Sequence, residues 1–457
     1  MRKAITWIFA SAFILAAFVA AAPVEAKVSA EEAKKLTDGT LTPFGADPKG
    51  NAEGTIPEWT GGITEWPAGY KEGMRHIDPF AGDQVLFTIT AANASEYADK
   101  LSPGQLAMFQ RYPNTWKMNV YTSRRSASYP KRQYEYAVKN ATTAELAEGG
   151  NGVLNSAESV PFPIPKVGLE CIWNHLLRFR NDTLFREYAS VAPTPSGQYT
   201  VITVREKILI PYSAPGATVD TIENKLLLFL QEVTAPARLA GQILLVHETL
   251  DQVKESRKAW TYNPGQRRVR LAPNIAYDNP GTASDGQRTS DQLDMFNGAP
   301  DRYEWTLVGK KEMYIPYNSY KLHSDTVKIA DIIKAGHVNP DLLRYELHRV
   351  WVVEANLKKG TRHIYAKRVF YLDEDTYSIC AADNYDARLE IWRVQENHQI
   401  NYYDMPLVGA TMEAVYDLQN GRYVALGLTN EGLTWSFKEK FPKEMFTPAE
   451  VRRMGLR

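Results

Sequence analysis

Cysteine is nearly missing from this 457-residue chain: Cys171 and Cys380 are the only two, and no C-x-x-C pair occurs. That scarcity excludes a disulfide-stapled scaffold and argues against a thiol-redox or cysteine-based zinc site. The two thiols could pair in an oxidising compartment, although the apolar residues around them favour two free, buried cysteines. Excess charge of either sign is missing as well, with 53 basic residues against 53 acidic ones. Such a balance offers no electrostatic footprint for nucleic acid and no general attraction to an anionic membrane. Diagnostic catalytic spacings are also lacking: there is no H-E-x-x-H, no P-loop and no G-x-S-x-G elbow. The nearest approach to the elbow, at residues 281–286, has no glycine two residues before Ser284 and reads as a turn. The expectation is a protein that is not an enzyme and holds no metal or other cofactor.

Long hydrophobic runs are scarce too, and the single one is informative. Residues 4–22 are almost wholly apolar, follow Arg2 and Lys3, and end at Val24-Glu25-Ala26, a small-x-small pattern before Lys27. This is the layout of a cleavable export signal, with an uncleaved anchor as the alternative. No cysteine stands near that site, so a lipoprotein is not expected. The mature chain is read as soluble and periplasmic.

Beyond the signal, residues 27–160 are rich in Pro, Gly, Asn and aromatics, and read as an extended N-terminal arm packed on the rest. Short helices are expected at 29–35, 91–97 and 102–112, the last with Ser102 as cap and Pro103 at its first position. Glycines at 149–152 mark a junction. Residues 161–430 form the main domain, opening with an amphipathic helix at 168–179, and 431–457 are read as a tail. Strands are expected at 198–211, 224–234, 239–250, 258–262, 267–272, 303–317, 344–357, 362–372, 378–385, 389–403, 412–418 and 422–428. Their connections, such as Asn263-Pro264-Gly265-Gln266 and Gln419-Asn420-Gly421, are too short for parallel crossovers, so the strands form antiparallel meanders. Several strands, residues 226–230 and 349–353 among them, are apolar at both parities. A sheet buried on both faces is implied, either as an ordinary sandwich core or with a cavity on one side.

Few clusters suggest chemistry. The eight histidines are scattered, with His348 and His363 read as facing each other across a hairpin in a structural role. Asp373-Glu374-Asp375, Asp383 and Asp386 are candidate calcium ligands or, more simply, acidic turns. Residues 257–270 read as strand, turn and strand, setting Arg267, Arg268 and Arg270 beside Trp260 and Tyr262. Three arginines beside two aromatics suit an anionic headgroup, and a solvated charged face is the plainer reading.

These residues bring a resemblance into view. Asn51–Gly62, Pro161-Phe162-Pro163-Ile164-Pro165, Trp173-Asn174-His175, Thr234–Arg238, the Trp260–Arg270 hairpin and Ser284–Asp291 together resemble the proteobacterial family called domain of unknown function 1329. The resemblance runs over essentially the whole mature chain. It implies grouping with the LolA/LolB fold of lipoprotein carriers: an open antiparallel half-barrel wrapped over helices, with an apolar surface that shelters acyl chains. It further implies an inner-membrane RND/MMPL-type exporter and an outer-membrane protein as partners. The family brings no agreed catalytic residues.

The fold class expected is therefore α+β and β-dominated, a large curved antiparallel sheet with helices plus the N-terminal arm. The function expected is carriage of a hydrophobic ligand such as a lipid, with Trp260, Tyr262, Trp351, Val353, Tyr365 and Phe370 lining the cavity. Two alternatives stand beside it: a non-transporting adaptor between exporter and outer-membrane partner, and a hydrolase with a non-standard site.

Overall fold

The structure, a computed structural model, describes residues 27–272 and 277–456. The export-signal reading of residues 1–26 lies outside them. Among the described residues no helix is long and apolar enough to cross a membrane.

One 15-stranded sheet dominates the molecule. A first meander contains β1 (Thr183–Val191), β2 (Val201–Leu209), β3 (Lys225–Ala235), β4 (Ile243–Thr249), β5 (Lys258–Asn263) and β6 (Arg268–Leu271). A second contains β7 (Tyr303–Pro316), β8 (Tyr345–Leu357), β9 (Lys367–Asp373), β10 (Ile379–Tyr385), β11 (Ile391–Tyr402), β12 (Leu407–Asp417) and β13 (Arg422–Leu428). Each strand pairs antiparallel with its successor, and β13 pairs with β1, so the second meander leads into the first in one open sheet. Two short strands of the N-terminal region, Phe87–Ile89 and Met118–Val120, extend it beside β8. The latter pairs in parallel, through Val120 and Tyr345.

Turn chemistry explains the meanders. At the β5–β6 turn the Asn263 side chain accepts the Gly265 N–H at 2.9 Å, and at β12–β13 Asp417 accepts the N–H groups of Gln419 and Asn420. Gly421 then takes the left-handed conformation that closes the hairpin. β1 is a strand the sequence pattern did not single out, and β12 begins five residues ahead of the expected 412.

Four longer helices cover the sheet: α1 (Pro103–Arg111), α2 (Lys131–Thr143), α3 (Gly168–Leu177) and α4 (Pro448–Gly455). Ser102 caps α1 in a capping box with Gln105, as its sequence announces. α1 packs on the outer face of β10–β12, where Met108 and Phe109 join Val394, Met412 and Tyr416. α3 lies on the opposite, inner face of the second meander, its Cys171, Ile172, Trp173 and Leu176 joining Val353, Phe370, Leu372 and Ile379. Both cysteines are buried and free.

Residues 431–456, read from the sequence as part of a tail, hold a helix packed on the sheet. Thr447 caps α4 with Pro448 at its first position, and Phe446 and Val451 pack onto Leu228, Leu230, Leu245 and Tyr262. This explains the apolar run of β3: Leu228 and Leu230 face α4, whereas Leu227 and Phe229 face the other way. Segments of 27–160 are likewise fastened into the domain, with Arg125 in a double hydrogen bond to Asp375 at 2.6 and 2.9 Å.

Candidate functional site

Among the described residues, none of the four longer helices packs on the inner face of the first meander. Register builds it in rows, because directly opposed residues share a face. Leu184 lies opposite Ile208, Ile208 opposite Phe229, and Phe229 opposite Val246, giving one apolar row across β1–β4. The next row on the same face is Arg186, Glu206, Gln231 and Leu244. On the other side Leu227 lies opposite Glu248. Above the rows lies a cavity of about 90 Å³. Its remaining walls are Val408, Ala410 and Glu413 of β12, Trp435, and Arg178 and Arg180 just after α3. The segment 277–302 roofs it, contributing Gly281, Thr282, Arg288, Leu293, Asp294 and Asn297.

The charged walls are extensively bonded. Glu206 accepts from Arg186 at 2.5 Å, from Gln231 at 2.7 Å and from the Tyr188 hydroxyl at 2.8 Å. Arg257 donates to Glu248 at 2.5 Å and to the Asn297 carbonyl at 2.6 Å, tying the floor to the roof. Asp294 accepts from both Arg178 and Arg180, the latter at 2.7 Å. Burial works against its charge, but these two guanidiniums hold the carboxyl well below the usual range. Glu413 goes the other way. Burial and then the neighbouring Asp294 push it up to about 7. His175 accepts the Ile379 N–H on Nδ1 and bonds the Asp294 carbonyl through Nε2. Burial and then Arg178 bring it down to about 3, so it serves as a neutral link between α3, the sheet and the roof.

The six residues expected from the sequence to line a cavity lie elsewhere. Trp260 and Tyr262 are on the outer face, where Trp260 meets the His247 ring and Tyr262 donates to the Gly455 carbonyl of α4 at 2.5 Å. Val353 and Phe370 are core beneath α3, and the half-buried Trp351 carries the Lys310 ammonium 4.3 Å over its ring. Tyr365 is buried, with its hydroxyl 2.9 Å from Gln292 Oε1 and 3.2 Å from Arg393. Arg267, Arg268 and Arg270 stand exposed on the edge hairpin. Arg268 and Arg270 pair with Asn263 and Thr261, so they point away from the face of Trp260 and Tyr262.

The histidine expectation is also corrected. His348 lies opposite Met313, not His363, which bonds Asp291 at 3.1 Å. His348 instead approaches Asp373 and Asp375 in a buried group with metal-ligand spacing. Arg125 occupies both Asp375 oxygens and Glu346 lies 3.2 Å from His348 Nε2, making a closed ion network. Burial and then Asp375 raise Asp373 to about 7.

Sequence reasoning missed the cavity arginines, although two resemblance-bearing segments converge on them. Trp173-Asn174-His175 leads into Arg178 and Arg180, and Ser284–Asp291 contains Arg288. The model of the family described as "Protein of unknown function (DUF1329)" matches residues 88–452. The chain belongs to the DUF1329 family. This DUF1329 protein is 51% identical over 446 residues to "Uncharacterized protein PA3922" of Pseudomonas aeruginosa, covering 97% of this chain and 98% of that one. Solved structures show a weaker similarity. A putative outer membrane lipoprotein-sorting protein domain from Vibrio parahaemolyticus is 15% identical with a TM-score of 0.44, over 63% of this chain and 98% of that one. A DUF1329 family protein from Desulfovibrio piger is 14% identical with a TM-score of 0.41, over 60% of this chain and 92% of that one. For the LolA superfamily protein NE2245 from Nitrosomonas europaea the figures are 14%, 0.37, 62% and 98%.

Proposed function

We propose that this DUF1329 protein is a periplasmic carrier that shelters a lipid, lipoprotein or other apolar cargo between the inner and outer membranes. One observation carries the reading: the apolar row Leu184, Ile208, Phe229 and Val246 borders open space under a roof, where the equivalent face of the second meander is filled by a helix. Each methylene moved from water onto such a surface is stabilised by about 0.8 kcal/mol. The space admits only a short stretch of alkyl chain, so a longer guest enters with displacement of segment 277–302. The apolar leader at residues 4–22 supports the periplasmic setting. Exchange with an RND/MMPL-type exporter and an outer-membrane protein belongs to the same proposal and is checked by cross-linking in whole cells.

The deciding experiment is native mass spectrometry of protein purified from its own periplasm, with organic extraction alongside. A discrete added mass that extracts as an apolar molecule is the expected result. A clean protein mass, with no uptake of fluorescent fatty acids afterwards, overturns the reading in favour of a non-transporting adaptor.

A further inference from the structure

The charges around the cavity do not cancel. Five guanidinium groups line it, those of Arg178, Arg180, Arg186, Arg257 and Arg288. Four carboxylates answer them: Asp294 takes Arg178 and Arg180, Glu206 takes Arg186, Glu248 takes Arg257, and Glu413 accepts only the Met295 N–H at 3.1 Å. Arg288 has no ion pair among the described residues. Its Nη1 donates to the Thr289 carbonyl at 3.2 Å and its Nη2 to the Thr282 carbonyl at 3.1 Å, which engages two of its five N–H donors. Arg288 is only 4% exposed. Its seat is shaped for it, since a methyl group added at Gly281 would stand 2.5 Å from Nη1.

A buried guanidinium keeps its charge, and a buried charge without a counter-charge is costly. Glu413, Glu206 and Asp291 act on Arg288 only through space; Asp291 is already bonded to Arg368 and His363, and Glu413, raised to about 7, is partly neutral at physiological pH. The cationic excess therefore sits at the roof, next to an apolar row. Resting on the carrier reading, we propose that the cavity selects amphiphiles with an anionic oxygen headgroup, a carboxylate or a phosphate, that pairs with Arg288 while the alkyl chain lies on Leu184, Ile208, Phe229 and Val246. An anion there would take up the unused donors in charge-assisted hydrogen bonds.

The test compares 11-(dansylamino)undecanoic acid with its methyl ester by fluorescence titration of the full mature chain at pH 7.5. The acid is expected to bind roughly tenfold more tightly, in line with a charge-assisted pair. Arg288→Gln should bring acid and ester within about twofold by weakening the acid, and Arg288→Lys should keep part of the preference. Circular dichroism shows whether each variant folds, and the wild-type comparison of acid with ester needs no variant. Inorganic phosphate or acetate alone should not displace the acid at concentrations where the acid saturates. Equal binding of acid and ester overturns this inference and leaves the carrier reading standing. So does displacement by phosphate at the acid's own concentration, which would mark the site as one for a free anion. Failure of both probes to bind overturns the carrier reading and this inference with it.

Discussion

The two meanders both present apolar residues on their inner faces and meet different fates. The inner face of β8–β10 receives α3, and Val353, Phe370 and Leu372 become solid core. That of β1–β4 receives none of the four longer helices among the described residues, and the hydrogen-bonded segment 277–302 bridges over it instead. A cavity is thus decided by what fails to fill a face, not by the side chains on that face. The charges differ in the same way. Beneath the N-terminal region, Arg125 closes on Asp375 and the His348 network is shut, whereas Arg288 at the roof has no ion pair among the described residues.

The strongest way to break this comparison is to truncate one phenylalanine from each face. Phe370→Ala should cost about 3–5 kcal/mol, because a packed interior relaxes poorly around a deleted ring. Phe229→Ala already borders free space and should cost about 1–2 kcal/mol, the range of a partial transfer loss. Urea melts of both variants measure this, and equal costs would show the two faces to be packed alike. Next comes pH. Glu413 titrates at about 7 in the fold against an ordinary 4.5, so its contribution to stability is full below 4.5 and is lost as pH rises through 7. The loss is on the order of 3 kcal/mol, and thermal melts of Glu413→Gln should show a flatter profile over that window. Asp294 is shifted downward and works in the opposite direction, its contribution present above 3.8 and lost as pH falls. A smaller effect is expected on the outer face: Tyr262→Phe removes the bond to Gly455 and should cost about 1 kcal/mol. Uptake of a fluorescent fatty acid should be unchanged in that variant, and a drop would place Tyr262 nearer the bound probe than the register allows.

The hairpins were legible because Asn263–Gln266 and Gln419–Gly421 carry turn chemistry that works locally. α1 was legible for the same reason, through Ser102, Pro103 and Gln105. α2 was not, because the face it buries consists of Gln133, Ala137, Asn140 and Ala141, small or polar residues with no hydrophobic stripe. α4 was overlooked although Thr447, Pro448 and Glu450 spell a helix start. The cavity eluded the sequence for a deeper reason. Large aromatics such as Trp260 and Trp351 attract attention, yet the apolar row is made mostly of ordinary aliphatic residues. Nothing local in a strand records whether a helix or a loop will lie across it.

The rows of β1–β4 also set a direction. The row of Leu184, Ile208, Phe229 and Val246 is flanked by Arg186, Glu206 and Gln231 on one side and by Leu227 and Glu248 on the other. Its four residues sit on four adjacent strands, so its length is three inter-strand spacings, about 14 Å. An alkyl chain laid along that row would run across the strands rather than parallel to them.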